Sequence, residues 1–418
     1  MYQNMTSYQE HCMSEQNKTS QDHIQSLFSE LMSAYQVVEP MDHSIQGIPL
    51  AMPSFGRKEI QEAMDSLLSG WITMGQKVQH FEERWAQYVG SSYGIAVNSG
   101  SSALLVMLSA LIECGYLQRG QEIILPAIGW STSLFSVVQA GLIPILVDVS
   151  PKNLCLEGSF EDPVLAIHLL GAVSEVQSPM ILEDACGAHG AMLGDKKVGN
   201  IGICSAFSFF FSHHITTGEG GMITTSNEDL LNACRSIRAH GWIRERNDAS
   251  KIAAQYADMD PRFLFSTMGF NLRMSDVAGA IGMHQVDRIE EFVLRRRKNH
   301  QQWCSWIREA DLPIDVFEES VGTRHSAFAF PLLIREESRF SRKDLCHRLE
   351  ERGIQTRPIS GSHLARQPAW KRIWNGYIRG YTPVADAIHE RGFFVGQSHA
   401  FGDEQGILLV DTLKEIFR

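Results

Sequence analysis

Between residues 57 and 225 short apolar runs alternate with stretches of helical spacing, and few folds accommodate that rhythm. The runs are 93–98, 122–126, 144–148, 165–169 and 180–183. Such an alternation predicts an α/β fold with a mixed, mainly parallel sheet. In open sheets of this kind a ligand lies beyond the carboxyl ends of the strands. Several polar motifs directly follow these runs, so they are expected to converge on one site.

With 418 residues the chain has room for one large domain and a smaller one. Residues 1–46 read as an N-terminal extension; within it, 21–35 has helical spacing at Ile24, Leu27, Phe28, Leu31 and Met32. The large domain is expected over 47–310, with a long helical pattern over 274–297 leading out of it. A smaller α+β domain is expected over 311–418, with a strand at 328–334, a helix over 341–352 and a turn at 356–358.

Composition narrows the function. There are 37 basic against 48 acidic residues, a net charge of -11, and the basic residues cluster only at Arg295, Arg296 and Arg297. A general nucleic-acid surface is therefore not expected. Eight cysteines (12, 114, 155, 186, 204, 234, 304 and 346) form no CxxC pair, which argues for reduced thiols in a cytoplasmic protein and against a metal ribbon. The first twenty residues lack the layout of a signal peptide. The most apolar region, 123–149, is interrupted by Pro126, Gln139, Gly141 and Pro144, which suits buried strands around a helix better than a membrane span.

The motifs carry the chemistry. Asn98-Ser99-Gly100-Ser101-Ser102 joins a strand to an apolar helix, where hydroxyls and free amides can hold a phosphate; a plain helix cap would have the same residues. Ser208 in Phe207-Ser208-Phe209 is a second candidate phosphate ligand, or simply part of a strand. Glu183-Asp184 ends an apolar run, so a carboxylate there is placed either to cap a loop or to keep a buried ring nitrogen protonated. Trp130 is a candidate to stack on an aromatic cofactor, although most tryptophans only pack. His213-His214 has no companion ligand at metal spacing. Adjacent histidines usually pack or cap, and Gly218-Glu219-Gly220-Gly221 alone would pass for a hairpin turn.

Together, and in order, the segments 98–104, 126–133, 183–191, 205–221 and 269–276 resemble the DegT/DnrJ/EryC1/StrS family of sugar aminotransferases, which implies pyridoxal-phosphate fold type I. In that family the fourth segment reads SFxxxKNxxxGEGG, and here Ser208-Phe209-Phe210-Phe211-Ser212-His213 puts His213 on the lysine. The likeness is stronger to the family's 3-dehydratase branch, through SHHITTGEGG, RAHGW (238–242), QTRPISGSH (355–363) and GFFVGQSH (392–399). The resemblance implies that Asp184 binds the pyridine nitrogen, that Trp130 stacks on the ring, and that Ser101, Ser102 and Ser208 contact the phosphate. It implies that Asn271 reaches the cofactor of a partner subunit, in a homodimer with shared active sites. Arg244, Arg246, Arg273 and Arg357 are candidates for the carboxylate of L-glutamate or for a nucleotide diphosphate.

Imidazole moves a proton but forms no lasting imine, so pyridoxal 5'-phosphate and pyridoxamine 5'-phosphate are expected to bind non-covalently. The expected reaction is loss of the C3 hydroxyl from a nucleotide-linked 4-keto-6-deoxyhexose, GDP-linked by preference, with glutamate as amino donor. A nucleotide-sugar 4-aminotransferase and a non-catalytic cofactor- or sugar-binding homologue are the alternatives. No metal is expected. Cys186 sits near one cysteine of the iron-sulfur relatives, but 241–247 offers no CxC, so a cluster is not expected either. An acidic residue often found in that branch is replaced by Gly187, with His189 the candidate to take over its orienting task.

Overall fold

The computed structural model describes residues 15–42, 44–373 and 375–418. Cys12 and the start of the polar extension lie outside the described residues. At the centre is an eight-stranded sheet in the spatial order Tyr93–Val97, Gly221–Thr225, Cys204–Ser208, Ile181–Asp184, Val164–Ile167, Glu122–Pro126, Ile143–Val147 and Tyr377–Ile378. Within it Gly221–Thr225 runs antiparallel to both neighbours, while the remaining pairings are parallel. This is the mixed, mainly parallel sheet expected.

The apolar runs become strands because both sheet faces are covered. Ile95, Val97 and Ala206 join one core with the helix Gly100–Glu113; Ala96 and Phe207 point the other way, to Phe81 and Trp85 of the helix Gln76–Val89. Strand ends shift by one to two residues from expectation. Leu169 leaves its strand for a 3₁₀ turn, Leu169–Gly171, in which Leu170 has φ 52°.

Three expectations are corrected. The helical pattern over 274–297 is two helices, Asp276–Gln285 and Ile289–Glu309, with a 3₁₀ turn Val286–Arg288 between them. Ser275 caps the first, its Oγ accepting from the Ala278 amide at 3.2 Å. At its end Gln285 leaves the helix surface to bond Ser54 and both backbone groups of Thr216. Thr356–Pro358 is an edge strand instead of a turn, a place where proline costs no ladder bond. Its sheet is antiparallel, in the order Ile314–Val316, Ala329–Ile334, Gly392–Gly396, Thr356–Pro358. Gly392–Gly396, noticed only as a motif, is an inner strand with Phe393 and Val395 fully buried.

The core under this second sheet also takes in Ile48, Trp303 and Ile307. The extension carries the helix Glu15–Ala34, longer than the spacing suggested; Met32 is buried while Ile24, Leu27 and Leu31 are exposed.

Candidate active site

The carboxyl ends of the main sheet gather the motifs. Gly221 ends the GEGG run with its Cα against the phosphate-loop candidate: a Cβ there would lie 2.2 Å from the Ser99 carbonyl oxygen. Gly100 is equally tight, since a Cβ would fall 2.6 Å from Cβ of Ser208. Two segments a hundred residues apart thus meet without side chains between them. Ser99 is the helix cap, accepting from the Ser102 amide at 3.1 Å, and Ser102 Oγ donates to Asn98 Oδ1 at 2.6 Å. Ser102 is buried and Ser101 exposed. The first amides of the helix have no intrahelical acceptor and face an anion favourably.

Neighbouring residues of one strand point to opposite sheet faces, and the acidic pair divides its tasks accordingly. Glu183 is fully buried and accepts from the amides of Gly199, Ile201 and Gly202 (2.8, 2.9 and 2.8 Å), from Ser205 Oγ at 2.8 Å, and pairs with His168 at 3.2 Å. Burial raises its pKa, but His168 and the amides outweigh that and hold it below the usual carboxylate range. Asp184 faces the sheet end. Ser133 Oγ donates to its Oδ2 at 2.5 Å and the Cys186 amide to its Oδ1 at 3.2 Å. Ser133 lies one turn after Trp130, which starts the helix Ser131–Gln139 with its ring largely exposed. Nothing in the sequence singled out Ser133 or the five partners of Glu183, because their donors come from remote segments.

His213 stands in a tight turn, its amide donating to the Phe210 carbonyl at 2.9 Å. The residue is half-buried, with its Nδ1 inside and without a hydrogen-bond partner. Its ring centroid is 5.1 Å from Phe328 and 5.8 Å from His189. Burial, then the positive charge of Arg296, push its pKa down to about 3. In the cofactor-free protein an imidazole so placed is neutral at neutral pH. His214 is fully buried and donates from Nε2 to the Ser326 carbonyl at 2.9 Å. His189 is fully buried too and touches His213 ring to ring without a hydrogen bond between them. A Cβ at Gly187 would meet nothing nearer than 3.8 Å, so a side chain would fit there.

Of the nearest lysines along the chain, Lys197 is engaged elsewhere, its Nζ donating to the Tyr88 carbonyl at 2.8 Å and pairing with Glu290 at 3.4 Å, while Lys196 is exposed on the same short strand. Among the described residues no group of three His, Cys, Asp or Glu is placed to hold a metal ion.

The arginines separate. Arg273 pairs with Val97 across an antiparallel bridge and donates to Asn271 Oδ1 at 3.1 Å, so both lie beside Asn98. Arg357 is exposed, and the segment after it docks beside Trp130, with Gly361 N donating to Gly129 O at 2.9 Å and Leu364 N to Ala127 O at 2.7 Å. Arg246 is tied to Asp248 through two bonds of 2.7 and 2.8 Å. Arg244 stacks 4.5 Å above Trp242 and lines a surface cavity of about 660 Å³ with Tyr93 and Gly94, at the amino end of the strand whose carboxyl end leads to Ser99. Within one chain, therefore, Arg273 lies beside the serine loop and Arg357 leads into the segment that docks beside Trp130, while Arg244 and Arg246 stand apart.

This constellation defines a class. Residues 53–414 match the model of the DegT/DnrJ/EryC1/StrS aminotransferase family, and the chain belongs to that family. It is 34% identical over 389 residues to GDP-4-keto-6-deoxy-D-mannose 3-dehydratase of Yersinia pseudotuberculosis, which covers 88% of this chain and 98% of the relative. Among solved structures it resembles a histidine variant of GDP-4-keto-6-deoxymannose-3-dehydratase with bound GDP-perosamine (TM-score 0.79, 29% identity, 88% of this chain and 100% of the other). It resembles equally well the same enzyme with a trapped PLP-glutamate geminal diamine (TM-score 0.79, 29% identity, 89% and 100%). The fold is that of these aminotransferase-like proteins.

Proposed function

We infer that this protein is a pyridoxal-phosphate-dependent sugar 3-dehydratase, a lyase built on the aminotransferase fold. It removes the C3 hydroxyl of a nucleotide-linked 4-keto-6-deoxyhexose, GDP-linked in keeping with its relatives, and takes its amino group from L-glutamate. The products are a 4-keto-3,6-dideoxy sugar and ammonia; the hydroxyl leaves as water, and glutamate, oxidised in giving up its amino group, leaves as 2-oxoglutarate. The observation that carries this reading is a half-buried, neutral histidine where the family pattern has its lysine, with Lys197 tied to Tyr88 and Glu290.

The residues present fit the cofactor. Asp184, fixed by Ser133 and the Cys186 amide, offers a carboxylate to a ring nitrogen; the exposed face of Trp130 offers a stacking surface; Ser101, Ser102, Ser208 and the first helix amides offer a phosphate cradle. When bound, the cofactor supplies an amine for the 4-keto carbon and a ring that stores electrons. His213 then moves the proton at the cofactor's C4′ carbon, being the one imidazole of its cluster with an edge open to the site, since His189 and His214 are fully buried. Arg273 and Arg357 bind the acidic ends of glutamate or the nucleotide. Without a lysine, the cofactor stays non-covalent, and no amine stands by to direct the reaction to a 4-amino sugar.

The working form is a homodimer with shared active sites. Support comes from the exposed apolar side chains of Tyr256, Met259, Phe263, Phe265, Met268 and Phe270 in the segment leading to the exposed Asn271, which is to reach the partner's cofactor. Arg244, which lies 5.8 Å over the Phe263 ring, reaches substrate together with Arg246 across that dimer. The cofactor-binding unit spans 47–310 and the smaller unit 311–418. Free thiols throughout the described residues accord with a cytoplasmic protein, and no described helix is long and apolar enough to cross a membrane.

Incubation with pyridoxal phosphate, glutamate and GDP-4-keto-6-deoxymannose tests the function. Ammonia together with a 3-deoxy sugar supports dehydration. A stable 4-amino sugar would favour the aminotransferase, and tight binding without turnover the non-catalytic homologue.

A further inference from the structure

Arg296 is a buried charge that neither the fold nor the site described so far accounts for. It sits within the helix Ile289–Glu309 with 2% of its surface exposed. Its Nη1 donates to two carbonyls, that of Phe328 at 3.1 Å and that of Gln397. Its Nε is buried without a partner. The next residue, Arg297, pairs with Glu319 at 2.8 Å, yet among the described residues Arg296 forms no ion pair with any carboxylate. Removing a guanidinium from water without a counter-charge costs several kcal/mol. An apolar side chain of similar length would fill this place without that cost.

From Arg296 the contacts lead to His213. Phe328, whose carbonyl Arg296 holds, lays its ring 5.1 Å from His213 and 6.0 Å from His214. Two residues earlier, the Ser326 carbonyl accepts from His214 Nε2. Ala327 between them has φ 51°, in the left-handed region, and its amide donates to His325 Nδ1 at 2.7 Å. From the opposite side Leu170 accepts from the Phe328 amide at 3.1 Å and Gly171 from the Ser326 amide at 2.9 Å. Residues 326–328 thus form a folded wall, gripped on one side by the 169–171 turn and on the other by Arg296.

We propose that Arg296 is a positioning residue for His213: it clamps the wall on which that imidazole rests and sets an uncompensated positive charge beside it. The ionisable groups that face His213 are His214 on its own turn, His189 from the loop after Ile181–Asp184, and Arg296 from the long helix; the wall of 326–328 contributes none. No carboxylate is among them. Burial first and Arg296 second depress the titration of His213 and of His214. The cluster keeps the imidazole uncharged in the cofactor-free protein, with the Phe328 ring packed against it.

The role presupposes that His213 is the base, but its test does not need turnover. In the cofactor-free protein, the carbon signal of a ¹³C-labelled His213 imidazole, assigned by its loss in His213→Asn, is followed from about pH 4 to 8. Arg296→Gln keeps a donor for the carbonyls and removes the charge; it should raise the titration by about 1 to 3 units, bringing protonation into view at the acid end. Arg296→Lys keeps the charge on a shorter side chain that holds the two carbonyls less closely; it should leave the titration in place while kcat falls several-fold. An identical His213 titration in folded Arg296→Gln and in the unaltered protein overturns the proposal. Should Arg296→Gln not accumulate folded, Arg296→Lys decides, because a titration that rises despite the retained charge overturns it as well. Failure of the base reading is a separate outcome, visible as activity surviving in His213→Asn.

Discussion

Replacing His213 with asparagine separates proton transfer from binding and folding. No hydrogen bond of the imidazole is lost, because its Nδ1 has no partner and the turn is closed by the backbone, from the His213 amide to the Phe210 carbonyl at 2.9 Å. What disappears is ring contact with Phe328 and His189, so the fold should lose only about 1 kcal/mol. Asp184, Trp130 and Ser208, the proposed cofactor contacts, are untouched, and cofactor affinity should stay within a few-fold. A positioned proton-transfer group contributes about 10² to 10⁴ in rate, which is about 2.7 to 5.5 kcal/mol of barrier. The assay is ammonia release at saturating pyridoxal phosphate, glutamate and GDP-4-keto-6-deoxymannose. The expected result is a fall in kcat within that range at nearly constant KM. A variant that keeps more than about a tenth of the activity, or whose loss is fully explained by lost cofactor, would refute the role given to His213.

Further perturbations address the supports of the site. Glu183→Gln replaces an acceptor of five bonds by a group carrying its own donors, and should cost about 3 to 5 kcal/mol in denaturant unfolding; an unchanged midpoint contradicts the structural task assigned to it. Trp130→Ala removes a ring that is 57% exposed, so cofactor affinity should fall about two- to tenfold with little change in thermal stability. Stability should also depend on pH. His189, His214, His300 and His325 are all pushed to lower pKa, by burial first, whereas in the unfolded chain they titrate near 6.5. Below about pH 6.5 the unfolded chain takes up protons that the native one refuses, so stability is full above that pH. It is lost as the pH falls, by about 1.4 kcal/mol per unit for each imidazole that stays neutral. Urea unfolding at pH 7.5 and 5.5, about one unit either side of that value, checks this; equal stabilities would contradict it.

Much of the scaffold could be read along the chain. Doubly covered parallel strands leave unbroken apolar runs, and Glu122–Pro126 was found to the residue. The break between Asp276–Gln285 and Ile289–Glu309 left no trace, since apolar spacing continues through Val286 and Ile289, and the partners of Gln285 at the break, Thr216 and Ser54, lie elsewhere in the sequence. Gly392–Gly396 was overlooked as a strand because its glycines bracket only three apolar residues. Among site residues, the motifs brought Asp184, Trp130, Ser208 and His213 into view. They could not reveal that Arg246 is occupied by Asp248 or that Arg244 lies at the amino end of Tyr93–Val97, away from Ser99. Ser133, the bonds around Glu183 and the unpaired charge of Arg296 are products of distant segments meeting, and no local pattern marks them.

Borohydride reduction of the resting holoenzyme, followed by intact-mass and peptide analysis, bears most directly on the chemistry. With His213 in the lysine position and Lys197 bound to Tyr88 and Glu290, the polypeptide should keep its unmodified mass and all of the cofactor should come away on denaturation. A cofactor adduct left on any side chain, Lys197 included, would mean that the coenzyme is tethered after all and that proton transfer by a free imidazole is the wrong description of this enzyme.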